Sequence, residues 1–288
     1  MLDEQFLKRL ETLRLKMRHP AMGSMGGLRR SKALGTSVEF SDFREYAAGD
    51  DLRRVDWNAY ARFDKLFVKL FMEEQEAKIH LLLDASASMA FGEPSKWETA
   101  VKLAETLAYL ALCGGDTVTV TALKGESAAS TRPLSGRQGY IEVSQFLNGI
   151  VPAGTTHLNT AVRKAAILPG RGVSVLLSDF FSPDGYKLGL QSLQYRKQEV
   201  AALQILSRQE RSPELEDAVQ LLDAETGERM EIMANYDVLK AYHETLEDFL
   251  NTLKRFCHQN AMAYTTFQPE EDVERMMLRE LSRIGLLA

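Results

Sequence analysis

The chain has 288 residues, enough for one large domain or two modest ones with a sizeable buried core. Hydrophobic residues make up 45% and charged residues 26%, as in ordinary soluble globular proteins, and the net charge of −5 gives no general reason to expect nucleic-acid binding. Cys113 and Cys257 stand far apart with no zinc-type spacing, so they read as free thiols in a reducing compartment.

In chain order, residues 3–18 read as a helix, with Phe6, Leu7, Leu10, Leu13 and Met17 forming an apolar stripe. This start lacks the apolar core and cleavage site of a secretory signal, and no later stretch is long and apolar enough to span a membrane. A cytoplasmic location is expected. A Gly/Met/Ser-rich link from His19 to Gly27 is the best candidate hinge, giving an N-terminal segment over 1–27. Residues 28–76 form a charge-dense extension with embedded aromatics, and a regular domain is expected over 77–288.

Lys78–Asp84 is a short, nearly continuous apolar run, as expected of a strand covered on both faces. A helix over 96–112, an alternating strand over 116–123 and an edge strand near 128–133 follow. Helices are expected at 138–149 and 159–168, separated by the Pro152–Thr156 loop. Strands are expected at 172–179 and 199–206, and a hairpin over 218–233 turning at Glu225–Glu228. A helix over 235–259, a strand over 262–267 and a helix from 272 complete the chain. Leu239, Tyr242, Leu246, Phe249, Leu253 and Phe256 make a core-facing stripe, too short for a coiled coil. Alternation of this kind implies an α/β fold: a doubly wound, mostly parallel, Rossmann-type sheet.

Two of the buried strands end in aspartate, Asp84 and Asp179. Ligands of open α/β sheets bind beyond the carboxyl ends of the strands, where the strand order reverses. Asp84 is followed at alternate positions by Ser86 and Ser88, and Gly154-Thr155-Thr156 precedes a helix. Carboxylate and hydroxyl oxygens are hard ligands suited to Mg²⁺ or Mn²⁺. Serine and aspartate after a strand also serve as helix caps, but the two strand-terminal aspartates and the Gly-Thr-Thr loop together favour a metal site. No P-loop is present. His157 borders the loop and most simply points away from it, and His80 is expected to be a hydrogen-bonded core histidine.

The trio IHLLLDASASM, PAGTTHLNTAV and VSVLLSDF resembles the metal-ion-dependent adhesion site of von Willebrand factor A-type domains. The resemblance implies that Ser86, Ser88 and Thr156 ligate the metal, with Asp84 and Asp179 beside them and a partner's carboxylate completing the shell. Thr155 is the alternative to Thr156. Upstream, Gly35, Glu39-Phe40, Asp42, Arg44, Tyr46, Gly49-Asp50-Asp51, Arg53, Asp56-Trp57, Ala61-Arg62 and Glu73 resemble the signature of the bacterial domain-of-unknown-function 58 (DUF58) family. Many members carry upstream membrane helices, which are not expected here. The family is associated with MoxR-type AAA+ ATPases, so the resemblance implies a non-enzymatic adaptor or co-chaperone.

The mixed signs in residues 39–62 favour internal ion pairs, and the block is expected to anchor the extension to the following domain, with Phe43 and Trp57 buried. The alternative is a docking surface for a partner, built on Arg44, Arg53, Arg54, Trp57 and Arg62. Both roles are compatible. A competing function for the chain is a metal-dependent, phosphatase-like hydrolase using the same loop. Against it, Ser86 stands where Asp-x-Asp enzymes place a second carboxylate.

Overall fold

The computed structural model describes residues 6, 10, 13, 15, 39–47, 50, 52–72, 76–213, 218–233 and 235–286. The expected hinge at 19–27, most of the expected N-terminal helix and the family elements Gly35, Gly49, Asp51 and Glu73 lie outside them. The chain divides into two compact units, Pro20–Glu76 and Met1–His19 with Ala77–Ala288.

In the smaller unit, strand β1 (Glu39–Glu45) pairs antiparallel with β2 (Phe67–Met72), with a register shift between Phe40 and Asp42. Helix α1 (Trp57–Phe63) lies between them in sequence, and the Asp56 carboxylate caps it by accepting from the backbone N–H groups of Asn58 and Ala59. Charge density hides this strand pair from periodicity. The expected burial of Trp57 and Phe43 is not met: they are 60% and 44% exposed. A two-stranded ribbon offers little cover of its own, and α1 buries none of its residues.

In the larger unit, β3 (Lys78–Asp84) leads to α2 (Lys96–Cys113), started by a Ser95/Glu98 capping box. Strands β4 (Thr117–Lys124) and β5 (Ser127–Ser130) follow, then α3 (Gly139–Asn148) and α4 (Leu158–Lys164). Strand β6 (Gly172–Ser178) connects to β7 (Gln198–Ile205) through α5 (Lys187–Tyr195). The sequence reading missed α5, because Gly189 and several polar residues interrupt its Leu188, Leu190 and Leu193. Short helix α6 (Arg208–Arg211), the hairpin β8 (Ala218–Leu222) and β9 (Arg229–Met233), helix α7 (Tyr236–Gln259), strand β10 (Ala263–Phe267) and helix α8 (Val273–Arg283) complete it.

The central sheet runs β10-β7-β6-β3-β4-β5, with only β5 antiparallel. Both faces are covered, as continuous apolar strands require. Ile79, Leu81 and Leu83 of β3 face a core shared with α2, α3 and α8, which also takes in Phe6 and Leu10. Leu82 faces the opposite core with α4, α5 and α7. Leu81, Leu82 and Leu83 are fully buried, each contributing roughly 2 kcal/mol of transfer free energy. From β3 the chain progresses outward through β4 and β5, then crosses back to β6, β7 and β10. The strand order therefore reverses between β3 and β6, which opens a crevice at their carboxyl ends.

Neither Cys113 nor Cys257 is in a disulfide. No helix among the described residues is long and apolar enough to cross a membrane. His80 is buried, but contrary to expectation neither ring nitrogen has a hydrogen-bond partner among the described residues. Thr119, its register partner on β4, leaves its hydroxyl equally unsatisfied. On the other side His80 is the register partner of Ser174 on β6, whose hydroxyl donates to Gln198 Oε1 at 3.4 Å.

Candidate metal centre

Asp84 ends β3 and Asp179 directly follows β6, so the two carboxylates flank the reversal point. Asp84 is held by a hydrogen bond from Ser86 N–H to Oδ1 (3.0 Å) and one from the Ser178 hydroxyl to Oδ2 (2.6 Å). Ser86 Oγ lies 3.0 Å from Ser88 Oγ, and Ser88 donates to Asp179 Oδ2 at 2.8 Å. Asp179 Oδ1 accepts from Phe181 N–H at 3.0 Å across a turn in which Phe180 takes a left-handed φ of +66°. An aromatic residue pays for that backbone state with roughly 1 kcal/mol, and the turn keeps Asp179 aimed at the crevice.

The third loop is stitched to the serine loop through the backbone. Ala87 N–H donates to Gly154 O (2.8 Å) and Ala153 N–H to Ala85 O (3.0 Å), with Gly154 supplying a φ of +69°. Thr156 is buried, and its hydroxyl donates to Leu123 O at 3.3 Å, the carbonyl that also receives Ala85 N–H. A hydroxyl that donates its proton keeps its oxygen lone pairs for a cation. Thr155 is held through its backbone carbonyl, which accepts from Gly125 N–H at 3.1 Å. His157 stands at the N-terminus of α4 without a capping hydrogen bond from its side chain.

Two charged participants, Lys96 and Glu210, escaped sequence reasoning. The Lys96 ammonium, with no accessible surface, contacts Asp179 Oδ2 at 2.7 Å and also pairs with Glu210. Burial works against this ammonium, yet the Asp179 and Glu210 charges outweigh it and hold its pKa above the usual lysine value. A sequence signal existed: Lys96 is the first residue of α2, where the helix dipole disfavours a cation. Glu210, in the short helix α6, carried no comparable signal. Burial, and secondarily the charge of Asp179, push the Asp84 carboxyl up to about 6. Burial likewise raises the Glu225 carboxyl.

The described residues contain no cluster of three or more His, Cys, Asp or Glu placed to hold a metal, so the donor set rests on hydroxyls combined with carboxylates. It fits a hard divalent cation on one specific ground. Ser88 donates its single proton to Asp179 while its oxygen also meets the Ser86 hydroxyl, so oxygen lone pairs of the two serines remain for a cation. Among the described residues, the carboxyl groups of Asp84, Asp179 and Glu210 share this site with one ammonium, that of Lys96, and oxygen-rich anionic surroundings of this kind suit Mg²⁺ or Mn²⁺.

Of the candidate docking residues on the smaller unit, Arg44 is exposed and bound to Asp50 at 2.7 Å. Arg53 and Arg62 are exposed, Arg54 lies in a helical turn, and Trp57 meets Tyr60 edge-on with ring centroids 6.3 Å apart.

The family model described as protein of unknown function DUF58 matches residues 42–248. The uncharacterized proteins Mb1516 of Mycobacterium bovis and Rv1480 of Mycobacterium tuberculosis are each 29% identical over 232 residues, spanning 78% of this chain and 73% of theirs. Among solved structures, the conserved hypothetical protein BatB from Bacteroides thetaiotaomicron is similar at 16% identity and a TM-score of 0.44, covering 73% of this chain and 98% of that one. Proximal thread matrix protein 1 from the mussel byssus, with a zinc-occupied MIDAS motif, is similar at 16% identity and a TM-score of 0.37, covering 45% and 38%.

Proposed function

The chain belongs to the DUF58 family, and from that premise we propose that it is a non-enzymatic, metal-dependent protein-interaction module that binds a partner's carboxylate. The observation that carries this reading is the meeting of Asp84, Ser86, Ser88 and Asp179 in one hydrogen-bonded network at the strand reversal. Ser86, Ser88 and a threonine of the Thr155-Thr156 pair would hold Mg²⁺ or Mn²⁺, with Asp84 and Asp179 supplying charge directly or through water. A bound divalent cation supplies an electrophilic position that accepts an anionic oxygen.

The chain's own residues do the positioning. Ser178 and the Ser86 N–H fix Asp84, Phe181 N–H fixes Asp179, and the Gly154 carbonyl holds the serine loop against the threonine loop. Lys96 is clamped between Asp179 and Glu210 and sealed from solvent, so it is not free to bind a substrate phosphate. That argues against the hydrolase alternative, which needs such a cation. The partner we propose is a MoxR-type AAA+ ATPase or a client presented to it, with the exposed Trp57, Arg53 and Arg62 adding a second contact surface. The immobilised chain should retain such an ATPase in Mg²⁺ and release it in EDTA; retention unchanged by EDTA overturns the metal-bridged reading.

A further inference from the structure

Lys96 stands in the first turn of α2, and its ammonium is sealed from water. A cation in that position is stable only with anions around it. Two are present: Asp179 Oδ2 at 2.7 Å, and the Glu210 carboxylate, which approaches through Oε1 from α6. Glu210 is itself fixed, because its Oε2 accepts from the backbone N–H and the hydroxyl of Ser207 at 2.9 and 3.0 Å. The Tyr242 hydroxyl donates to the Glu210 carbonyl at 2.6 Å and ties the same turn to α7. The ammonium is therefore held in place from both sides.

The oxygen that Lys96 touches belongs to the metal centre. Asp179 Oδ2 accepts from the Ser88 hydroxyl at 2.8 Å as well as from the ammonium. The donors to Asp84, by contrast, are the neutral Ser86 N–H and Ser178 hydroxyl. The two aspartates are thus unequal: one presents its charge to the crevice, and the other shares it with a buried cation. A divalent ion set among them meets less negative charge than two free carboxylates would supply, and it keeps more of its own positive charge for an incoming oxygen.

We infer that Lys96 is a positioning residue that withholds part of the Asp179 charge from the metal, so that the centre binds its cation weakly when alone and an anionic partner oxygen strongly once loaded. This rests on the metal-dependent reading above and deepens it, by giving the site a preference for a carboxylate over a neutral oxygen. Glu210 sets the extent of the effect, since an ammonium shared with Glu210 takes less from Asp179. By linkage, metal and carboxylate then strengthen each other's binding by the same factor.

The test uses the full chain, with Mn²⁺ binding read by calorimetry. Acetate binding to the Mn²⁺-loaded protein is read by water-proton relaxation, which falls as acetate displaces metal-bound water. In Lys96→Met, Mn²⁺ should bind about tenfold more tightly than in the wild type and acetate about tenfold more weakly, the order expected for removing a cation in contact with a carboxylate. Glu210→Gln, which leaves the ammonium wholly to Asp179, should shift both affinities in the opposite directions. A purely structural role for Lys96 would weaken both affinities together in Lys96→Met, and that result overturns the inference. Equal behaviour of the three folded proteins also overturns it, while Mn²⁺ binding by the wild type leaves the metal reading standing. If circular dichroism shows Lys96→Met to be unfolded, Glu210→Gln decides alone, and wild-type affinities in that variant overturn the inference. Absence of Mn²⁺ binding by the wild type overturns the metal reading together with this one.

Discussion

Lys96 and Asp179, 83 positions apart in sequence, form a 2.7 Å ion pair in which neither side chain is more than 2% exposed. Their contact ties the first turn of α2 to the end of β6, across the reversal that creates the crevice. Removing one member of a buried pair leaves the other charge without compensation. Lys96→Met should therefore lower stability by about 3 kcal/mol in urea denaturation. Added Mg²⁺ should recover more stability in this variant than in the wild type, because Asp179 is then left without its ammonium. Equal recovery in both would separate Lys96 from the metal centre.

The raised Asp84 carboxyl gives metal binding a pH signature. In the metal-free folded state the group holds its proton up to about 6, for burial first and Asp179 second, whereas its ordinary value is 3.8. A cation must displace that proton, so Mn²⁺ affinity should be level above pH 6 and fall by about tenfold per pH unit just below it. His80 complicates thermal stability as a probe. Burial, then the charges of Lys78 and Arg196, lower it to about 4. Between about 6.5 and 4 the unfolded chain binds a proton that folded His80 does not, so acidification destabilises through His80. Over part of the same range Asp84 acts in the opposite sense, because there the folded state binds the extra proton. Calorimetric affinity at a series of pH values avoids the overlap; an affinity unchanged between pH 7 and 5 contradicts the assignment.

Thr119 presents a simpler case. Its hydroxyl is buried and unsatisfied among the described residues, opposite His80 in the β3–β4 register. Thr119→Val keeps the branched shape suited to a strand and deletes the orphan group. Urea denaturation should show a gain of about 1 kcal/mol. A loss of that size would mean the hydroxyl has a partner in solution.

Much of the larger unit is legible locally. The continuous apolar runs of β3 and β6 and the alternating β4 announce themselves because burial on two faces, or on one, leaves a period in the sequence. The hairpin at 218–233 is equally plain from its Glu-Thr-Gly-Glu turn. The aspartates and serines of the crevice are legible too, since each sits at a strand end or in the loop that follows. What local pattern cannot show is a contact between distant segments. Lys96 meets Glu210 across 114 positions. The exposure of Trp57 was misjudged for a related reason: aromatic content suggests burial, but a small unit has few neighbours with which to bury it.

We propose that Asp84, Ser86, Ser88 and Asp179, with the adjoining threonine loop, hold a divalent cation for carboxylate recognition. Calorimetric titration of Mg²⁺ into the wild type and into Ser86→Ala, both confirmed as folded, tests it most directly. The wild type should bind at a single site, and the variant at least about tenfold more weakly. No binding by the wild type, or equal binding by both proteins, would contradict it.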